Sequence, residues 1–340
     1  MQPNKLKKIN PLIRMRMPNT PVGRGITLKV TLLLIMFAAI TGKAANYKRE
    51  ITVAQDGSGD FTTITESLEA IRAFMDYKVT VNIRNGVYRE KIIIPSWIQN
   101  VDFIGENADS TIITWADHAN IDNMGTFRTF TVRVDGNNLR FRNLTIENNA
   151  EPLGQAVALH TEGDRLAFFN CRFLGNQDTI FTGAPYSRLY FCDCLIEGTT
   201  DFIFGGATAL FDGCEIYSRR DSYITAASTP EDSPAGYVFY NCRLTAAPGV
   251  SKVYLGRPWR PYAATVFIDC EMGAHIVPEG WDNWRDPANE QTARYGEYGS
   301  TGPGGDTSKR VEWAKRLTDD DVKGFVPLRI FNHCGNWVME

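Results

Sequence analysis

From Leu139 onward, large apolar and polar side chains alternate along short segments that resemble one another. The segments are LRFRNLTI, AFFNCRF, YFCDCLI, LFDGCEI, VFYNCRL and VFIDCEM. Each is rich in aromatic and β-branched residues and is bounded by Gly, Asn or Asp, a composition typical of a strand followed by a turn. The pattern predicts repeated short β-strands and disfavours helical repeats.

The repeats also have the spacing of a solenoid. Successive segments share a register position, and these positions are 27, 23, 20, 28 and 28 residues apart. The register residues are Leu144, Cys171, Cys194, Cys214, Cys242 and Cys270. Self-similarity at about 20 to 30 residues is typical of a chain whose successive turns stack on one another. We therefore expect an all-β fold, a parallel β-helix with the register cysteines stacked in its interior.

The N-terminal border of the repeat region contains a predicted helix. After the glycine-rich turn DGSGDF, apolar residues fall at Ile64, Leu68, Ile71 and Phe74, and Thr65 is a candidate N-cap. We expect this helix to plug the open end of the solenoid.

The C-terminal part leaves the repeat pattern. After Asp282 the sequence becomes rich in loop residues, and a short capped helix is predicted from Thr318. No segment has the composition of a flexible linker. We expect one domain, residues 46–340, with a C-terminal loop and helix cover.

The seven cysteines are an odd number at low density, which is unlike a disulfide-stapled scaffold. We interpret the register cysteines as small buried apolar residues in one inner column. A disulfide network is the alternative, and Cys194 and Cys214, on consecutive short turns, are its one candidate pair.

The net charge of -3 is unevenly distributed along the 340 residues. Residues 1–45 carry eight Lys or Arg and no acid, which leaves 28 basic and 39 acidic residues in the rest. A nucleic acid partner requires a basic face, so the net acidic remainder argues against one.

The basic N-terminus has the pattern of a secretory signal. Basic residues from Lys5 to Lys29 precede the apolar run LLLIMFAAI and then the small residues of TGKAA. The apolar run is too short to span a bilayer. We expect a cleaved signal over 1–45, a periplasmic or extracellular protein and no stable membrane insertion; a retained amphipathic N-terminus is the alternative.

Two acids stand at solenoid spacing beside apolar strands. Asp178 lies in FLGNQDTIF and Asp201 lies in GTTDFIFGG, 23 residues later. Consecutive turns lie about 4.8 Å apart, so matched registers make the two carboxylates neighbours. Two close carboxylates do not both ionise cheaply, and the pair divides into a charged member and a protonated member. Such a pair offers a nucleophile and an acid, although a lone Asp here is more often a turn former.

Further polar residues complete this hypothesis. Arg257, in LGRPW, is positioned to pair with Asp201 and to lower its pKa, which leaves the proton on Asp178. Gln155 and Gln177 carry uncharged amide donors for a developing oxyanion. Taken singly, Arg257 is as well explained by a structural ion pair and Gln155 by a turn hydrogen bond.

The sequence resembles the pectin methylesterases, or pectinesterases. The matching motifs are GQAVAL, FLGNQDT, DFIFG and LGRPW, and the resemblance covers the chain in order from Ile51 to Phe331. It implies a single-stranded, right-handed parallel β-helix and hydrolysis of galacturonate methyl esters without metal or cofactor. It also implies that Asp201 is the nucleophile and that Asp178 is the general acid and base.

The resemblance extends to substrate contacts. It implies that Gln155 and Gln177 are oxyanion donors, and it assigns substrate contacts to Gln155 and to further residues, namely Thr126, Phe202, Arg257 and Trp259. The implied partner is methyl-esterified homogalacturonan, bound by a monomer. His160 and Asn176 depart from the family pattern; we interpret His160 as structural, because a lone His after an apolar strand usually is.

Other functions remain open at this stage. A pectate lyase requires a calcium site of clustered carboxylates, and a polygalacturonase requires acids arranged around a glycosidic bond. The sequence lacks the NTD, GHG and RIK strings expected of the latter. A non-catalytic pectin-binding solenoid is the alternative from another class, because fold alone does not fix function.

Overall fold

The computed structural model describes residues 47–331 and residue 337. The predicted secretion signal, 1–45, lies outside the described residues. From Lys48 the chain forms one compact unit. Within the described part of the chain, no helix is long and apolar enough to cross a membrane.

Short strands wind into three parallel sheets, and each complete turn in the middle of the solenoid contributes one strand to each sheet. Sheet A has eleven strands: β1 Glu50–Val53, β2 Val79–Ile83, β5 Val101–Gly105, β8 Leu139–Arg142, β11 Leu166–Phe169, β14 Arg188–Cys192, β17 Thr208–Asp212, β20 Tyr237–Tyr240, β23 Ala264–Ile268, β25 Arg294–Tyr298 and β26 Lys315–Arg316.

Sheets B and C complete each turn. Sheet B has eight strands: β3 Gly86–Tyr88, β6 Thr111–Trp115, β9 Thr145–Asn148, β12 Arg172–Leu174, β15 Leu195–Gly198, β18 Glu215–Ser218, β21 Arg243–Ala246 and β24 Glu271–Met272. Sheet C has seven: β4 Ile92–Ile94, β7 Val132–Val134, β10 Leu159–Thr161, β13 Ile180–Thr182, β16 Ile203–Gly205, β19 Tyr223–Ala227 and β22 Tyr254–Gly256. The predicted parallel β-helix is confirmed.

The predicted register is confirmed on sheet B. Thr145 pairs with Arg172, and Arg172 pairs with Leu195, so the residues before them, Leu144, Cys171 and Cys194, stack on consecutive turns. The later turns continue the same register. The residue before each register position is Asn, Asp or Gly in the left-handed region, at Asn143, Asn170, Asp193, Gly213, Asn241 and Asp269. Asn, Asp and Gly tolerate the left-handed conformation, which explains why one of them stands at the border of each repeat.

The inner cysteine column is also confirmed. Cys171, Cys194, Cys214, Cys242 and Cys270 are buried, and every cysteine among the described residues is a free thiol, so the candidate Cys194–Cys214 bridge is not formed. The four thiols after Cys171 donate to carbonyl groups of the preceding turn; the Cys214 Sγ lies 3.4 Å from the carbonyl oxygen of Phe191. They therefore behave as small apolar residues with a weak donor.

A phenylalanine column fills the interior beside the cysteines. Neighbouring rings have centroids 4.4 to 5.1 Å apart and planes 8° to 14° from parallel. Its members are Phe103, Phe141, Phe168, Phe191, Phe211, Phe239 and Phe267. Each ring is fully enclosed by the turns above and below it, so the column supplies much of the buried apolar area.

The N-terminal helix, α1, runs over Ile64–Glu69. Its N-cap is Thr63, whose side chain accepts from the Glu66 N–H, so the expected cap at Thr65 is wrong. Ile64 and Leu68 pack into the interior core as expected, but the helix ends before Phe74, which is exposed. The role of α1 as a plug stays a prediction.

Two short helices follow the last strands. Helix α2, Asp319–Val322, begins after a capping box formed by Thr318 and Asp321, as predicted, and α3 covers Pro327–Ile330. Ile330 and Phe331 pack against the outer face of sheet A. Among the described residues, 3₁₀ helices lie in connections at Ile121–Asn123, Thr126–Arg128, Pro287–Gln291 and Pro303–Gly305. The C-terminal cover is therefore present.

The phenylalanine column predicts a large cost for removing one ring. The Phe191 ring is fully buried and stacks on Phe168 and Phe211 at 4.7 and 4.8 Å. Phe191→Ala should lower the free energy of unfolding by about 3–5 kcal/mol in urea titrations, because it leaves a cavity. Val87→Ala, at an exposed position of β3, is the control and should change it by less than about 0.5 kcal/mol. A loss below about 1 kcal/mol for Phe191→Ala would contradict this account of the core.

Candidate active site

The two acids occupy equivalent positions on adjacent turns. Ile180 of β13 pairs with Ile203 of β16, and Asp178 and Asp201 each lie two residues before these partners. The Asp178 N–H donates to the Thr200 carbonyl at 3.1 Å. Both acids have left-handed backbones, with φ of 69° and 48°. Such conformations are rare outside glycine and are concentrated at functional sites.

Arg257 binds Asp201 through two hydrogen bonds. Its Nε and a terminal guanidinium nitrogen lie 3.0 and 2.6 Å from the two carboxylate oxygens. The guanidinium carbon lies 3.9 Å from the centre of the Tyr223 ring and 3.7 Å from that of Trp284. This bidentate and stacked geometry fixes the rotamers of both partners of the ion pair.

Asp178 is the acid that holds its proton more strongly. Burial raises the pKa of its carboxyl group well above the ordinary value, and the charge of Asp201 raises it further. A hydrogen bond from the Gln177 side chain and the charge of Arg257 oppose this rise. Asp178 is 7% exposed, so little solvent is available to stabilise its anion.

Asp201 is held between opposing influences. Burial raises the pKa of its carboxyl group, and the hydrogen bonds and charge of Arg257 lower it. Burial exceeds the effect of Arg257, so the expected net lowering is wrong. The order of the two groups is nevertheless as expected, since Arg257 donates directly to Asp201 whereas Asp178 faces a like charge. At intermediate pH the pair carries its charge on Asp201.

The two glutamines lie on consecutive turns beside the pair. Gln177 precedes Asp178 and its side chain donates to that carboxylate. Gln155 precedes Ala156, whose N–H donates to the Gln177 carbonyl at 3.0 Å. The structure therefore brings both glutamine positions next to the acids, and neither glutamine is fully buried.

An aromatic strip continues from the acids over the outer face of sheet C. The Phe181 and Phe204 rings stack at 4.7 Å, and Trp259 meets Phe204 edge-on at 5.8 Å. Phe127 lies 4.8 Å from Phe181 and is 47% exposed. Thr126, the residue before Phe127, is half-buried at the same end of the strip. Apolar surface with a few convergent polar groups is typical of a ligand-binding cleft.

Phe202 does not belong to this strip. Its side chain is completely buried and packs in the interior core, so the expected contact between its ring and the substrate is wrong. Asp201 has a left-handed backbone, and the strand that follows turns Phe202 and Ile203 inward. Phe204, two residues on, carries the outward ring.

Sequence reasoning also missed the residues that hold Arg257. Tyr223 is level with Asp201 in the register, because the Asp201 N–H donates to the Tyr223 carbonyl at 2.8 Å, so solenoid spacing was a usable signal. Trp284 lies in the loop-rich C-terminal part, where no repeat predicts position. His160 agrees with its structural interpretation: it is buried, lies edge-on to Phe130 and Phe181, and is hydrogen-bonded to Glu162 at 2.7 Å.

The acids are not part of a multidentate cluster. Across residues 47–331 and 337, no group of three or more His, Cys, Asp or Glu side chains is arranged to hold a metal ion. The chemistry that the arrangement does offer is that of two coupled carboxyl groups, one arginine and amide donors.

Comparisons with known proteins identify the family of this chain. The family model "Pectinesterase" matches residues 50–331. "Pectinesterase 31" of Arabidopsis thaliana is 37% identical over 289 residues, which cover 82% of this chain and 90% of that protein.

Solved structures give the same result. The pectin methylesterase from carrot superposes with a TM-score of 0.81 at 35% identity, covering 85% of this chain and 94% of its own. A pectin methylesterase in complex with a hexasaccharide superposes with a TM-score of 0.72 at 28% identity, covering 83% and 96%. The family match over most of the chain shows that this protein belongs to the pectinesterase family, whose activity is carboxylic ester hydrolysis.

Proposed function

We propose that this protein hydrolyses the methyl esters of galacturonate in pectin, giving pectate and methanol, with Asp201 as nucleophile and Asp178 as general acid and base. The observation that carries the proposal is the bidentate pair of Arg257 with Asp201, next to a second acid that has no such partner and holds its proton more strongly. Family membership supports the reaction, and the pair of acids supports the assignment of roles.

In the first half of the reaction, an ionised Asp201 oxygen attacks the C6 carbonyl carbon of a galacturonate methyl ester. The amide groups of Gln155 and Gln177 donate to the oxyanion that forms. When the bond between the carbonyl carbon and the methoxy oxygen breaks, Asp178 gives its proton to that oxygen and methanol leaves. Asp201 is then joined to the sugar carboxyl through an anhydride.

In the second half, Asp178 is ionised and acts as base. It takes a proton from a water molecule whose oxygen attacks the same sugar carbonyl carbon. The bond between that carbon and the Asp201 oxygen breaks, which releases the sugar carboxylate and restores the Asp201 anion. Asp178 is protonated again, so the pair returns to its starting state. The second proton of the water molecule is released to solvent when the sugar carboxyl group ionises.

The cleft supports binding of a polymer. Phe127 and the half-buried Trp259 leave apolar surface along the aromatic strip, and we assign substrate contacts to Thr126 and Trp259 as well as to Arg257. The hexasaccharide bound by a structural relative supports an oligosaccharide as occupant. We further expect an exported monomer, because residues 1–45 have a signal pattern and nonrepeating segments flank the solenoid at both ends.

Removing the nucleophile should abolish methanol release. Asp201→Asn keeps the shape of the side chain but cannot attack, so the initial rate of methanol release from highly methylated pectin should fall at least about a thousandfold. The wild type should release methanol in EDTA without shortening the polymer, as measured by size-exclusion chromatography.

Asp212→Asn is the matched control, because Asp212 is a half-buried acid of sheet A outside the cleft. Its rate should stay within about twofold of wild type. Substantial turnover by Asp201→Asn would remove Asp201 from the role of nucleophile, and shortening of the polymer would identify a different reaction.

The divided pair predicts a bell-shaped pH profile. The reaction needs Asp201 charged and Asp178 protonated, so kcat/KM should fall at low pH as Asp201 gains a proton and at high pH as Asp178 loses one. In the wild type, the bidentate hydrogen bonds of Arg257 lower the pKa of Asp201. Arg257→Lys loses these bonds, so the pKa of Asp201 should rise and the acidic limb should move to higher pH. An unmoved acidic limb in that variant would show that Arg257 does not control the ionisation of Asp201.

The raised pKa of Asp178 also predicts a cost in stability. A carboxyl group whose pKa is raised by folding binds more protons in the folded state, so stability falls as pH rises from the unfolded to the folded pKa. Asp178→Asn should therefore be more stable than wild type at pH 7, and the difference should shrink as the pH falls towards the pKa of an unfolded aspartate, about 4. Thermal unfolding at both pH values measures it, and equal stability at pH 7 would contradict the assigned shift.

A further inference from the structure

A third carboxylate, that of Asp282, lies beside the ion pair of Asp201 and Arg257. The Asp282 N–H donates to the Gly256 carbonyl at 3.1 Å, and Gly256 immediately precedes Arg257 in the chain. Asp282 is half-buried. Neither half of the proposed reaction uses this carboxylate, so its place beside the ion pair requires a separate explanation.

The Asp282 side chain stabilises an unusual backbone conformation at Trp284. Its Oδ1 accepts a hydrogen bond from the Trp284 N–H at 2.7 Å, which closes a turn of the kind that Asp and Asn side chains form two residues ahead of themselves. The φ of Trp284 is 60°, in the left-handed region that bulky residues rarely adopt. The hydrogen bond therefore holds Trp284 in a conformation that its own side chain disfavours.

This conformation of Trp284 places its ring against the guanidinium of Arg257. The guanidinium carbon lies 3.7 Å from the centre of the Trp284 ring and 3.9 Å from that of Tyr223. Two rings at these distances do not fit on the same side of a planar group, so they cover its two faces, while Asp201 accepts from one edge. A displaced Trp284 ring would free one face of Arg257 and loosen the bidentate contact.

The chain just before Asp282 is already fixed by a buried network. The Trp281 indole N–H donates to Glu297 at 3.2 Å, and Glu297 is paired with Arg310 at 2.8 Å, with both side chains of the pair 4% exposed. Trp281 itself is completely buried. The backbone that enters Asp282 is therefore rigid, and the position of Trp284 depends on the turn that Asp282 closes.

We propose that Asp282 is a positioning residue of the active site, whose side-chain oxygen holds Trp284 against Arg257 and so keeps Arg257 in its bidentate contact with Asp201. The hydrogen bond from the Trp284 N–H carries this role, and the charge of Asp282 does not. The inference rests on the proposed esterase function, in which ionised Asp201 is the nucleophile.

The charge and the hydrogen bond of Asp282 act on Asp201 in opposite directions. Burial raises the pKa of Asp201 most, the contact with Arg257 lowers it, and the charge of Asp282 raises it. Loss of that charge alone therefore moves the acidic limb of the pH profile to lower pH, whereas a loosened Arg257 moves it to higher pH. The other ionisable groups around Asp201 stay unchanged when Asp282 is substituted, namely Asp178, Tyr223 and Tyr295.

Two substitutions of Asp282 separate these effects. Asp282→Ala removes the charge and the acceptor, and should lower kcat for methanol release about fivefold, the factor expected for one capping hydrogen bond. Asp282→Asn removes the charge but keeps an oxygen that accepts from the Trp284 N–H, so it should recover most of that kcat. The acidic limb of kcat/KM should lie at higher pH in Asp282→Ala than in Asp282→Asn, although the two variants carry the same charge.

A double-mutant cycle tests whether Asp282 acts through Trp284. In a Trp284→Ala background, Asp282→Ala and Asp282→Asn should have the same kcat and the same acidic limb, because no ring remains to be positioned. Asp56→Ala is the matched control: Asp56 accepts from the Ser58 N–H at 2.9 Å in the same kind of turn, at the N-terminal border of the repeats. Its kcat and acidic limb should equal those of wild type, and thermal unfolding should show that every variant is folded at the assay temperature.

Equal kcat and equal acidic limbs for Asp282→Ala and Asp282→Asn, with normal methanol release by the wild type, would overturn the positioning role alone. A difference that persists in the Trp284→Ala background would also overturn it, because Asp282 would then act by another route. Absence of methanol release by the wild type would overturn the proposed function itself.

Discussion

The in-register stacking of parallel turns is the constraint on which the rest of this structure depends. Residues one repeat apart become neighbours at a fixed spacing, whatever the length of the connection between them. Inside the solenoid this rule builds columns of phenylalanine and cysteine. Outside, it places Asp178 level with Asp201 although 23 residues separate them. The core and the candidate active site thus arise from one geometric rule.

The same rule imposes an electrostatic cost that the site resolves with one arginine. Two buried acids on adjacent turns destabilise each other as anions. Arg257, which reaches back to Asp201 from a later turn, compensates one charge only. Tyr223 and Trp284 hold its guanidinium in place. The uncompensated acid holds its proton more strongly, so an arrangement that is unfavourable for stability provides the acid and the nucleophile that we propose for ester hydrolysis.

Much of the fold and of the candidate site was predictable from the sequence, because residues one repeat apart in the sequence are neighbours in the structure. The cysteine column, the level positions of the acids and the partner of Asp201 all follow from spacing. Phe202 was assigned to the wrong face because a left-handed residue interrupts the alternation of the strand. The balance of burial against Arg257 at Asp201 depends on solvent exposure, which spacing does not give. Trp284 was not found, since its nonrepeating loop carries no register.

The division of charge between the two acids is the central claim, and infrared difference spectroscopy tests it most directly. Spectra of wild type, Asp178→Asn and Asp201→Asn near pH 6 report which residue carries a protonated carboxyl group. The account predicts that a protonated carboxyl band of the wild type disappears in Asp178→Asn. It also predicts that Asp201→Asn loses a carboxylate band of the wild type. A protonated band that persists in Asp178→Asn and disappears in Asp201→Asn would contradict it.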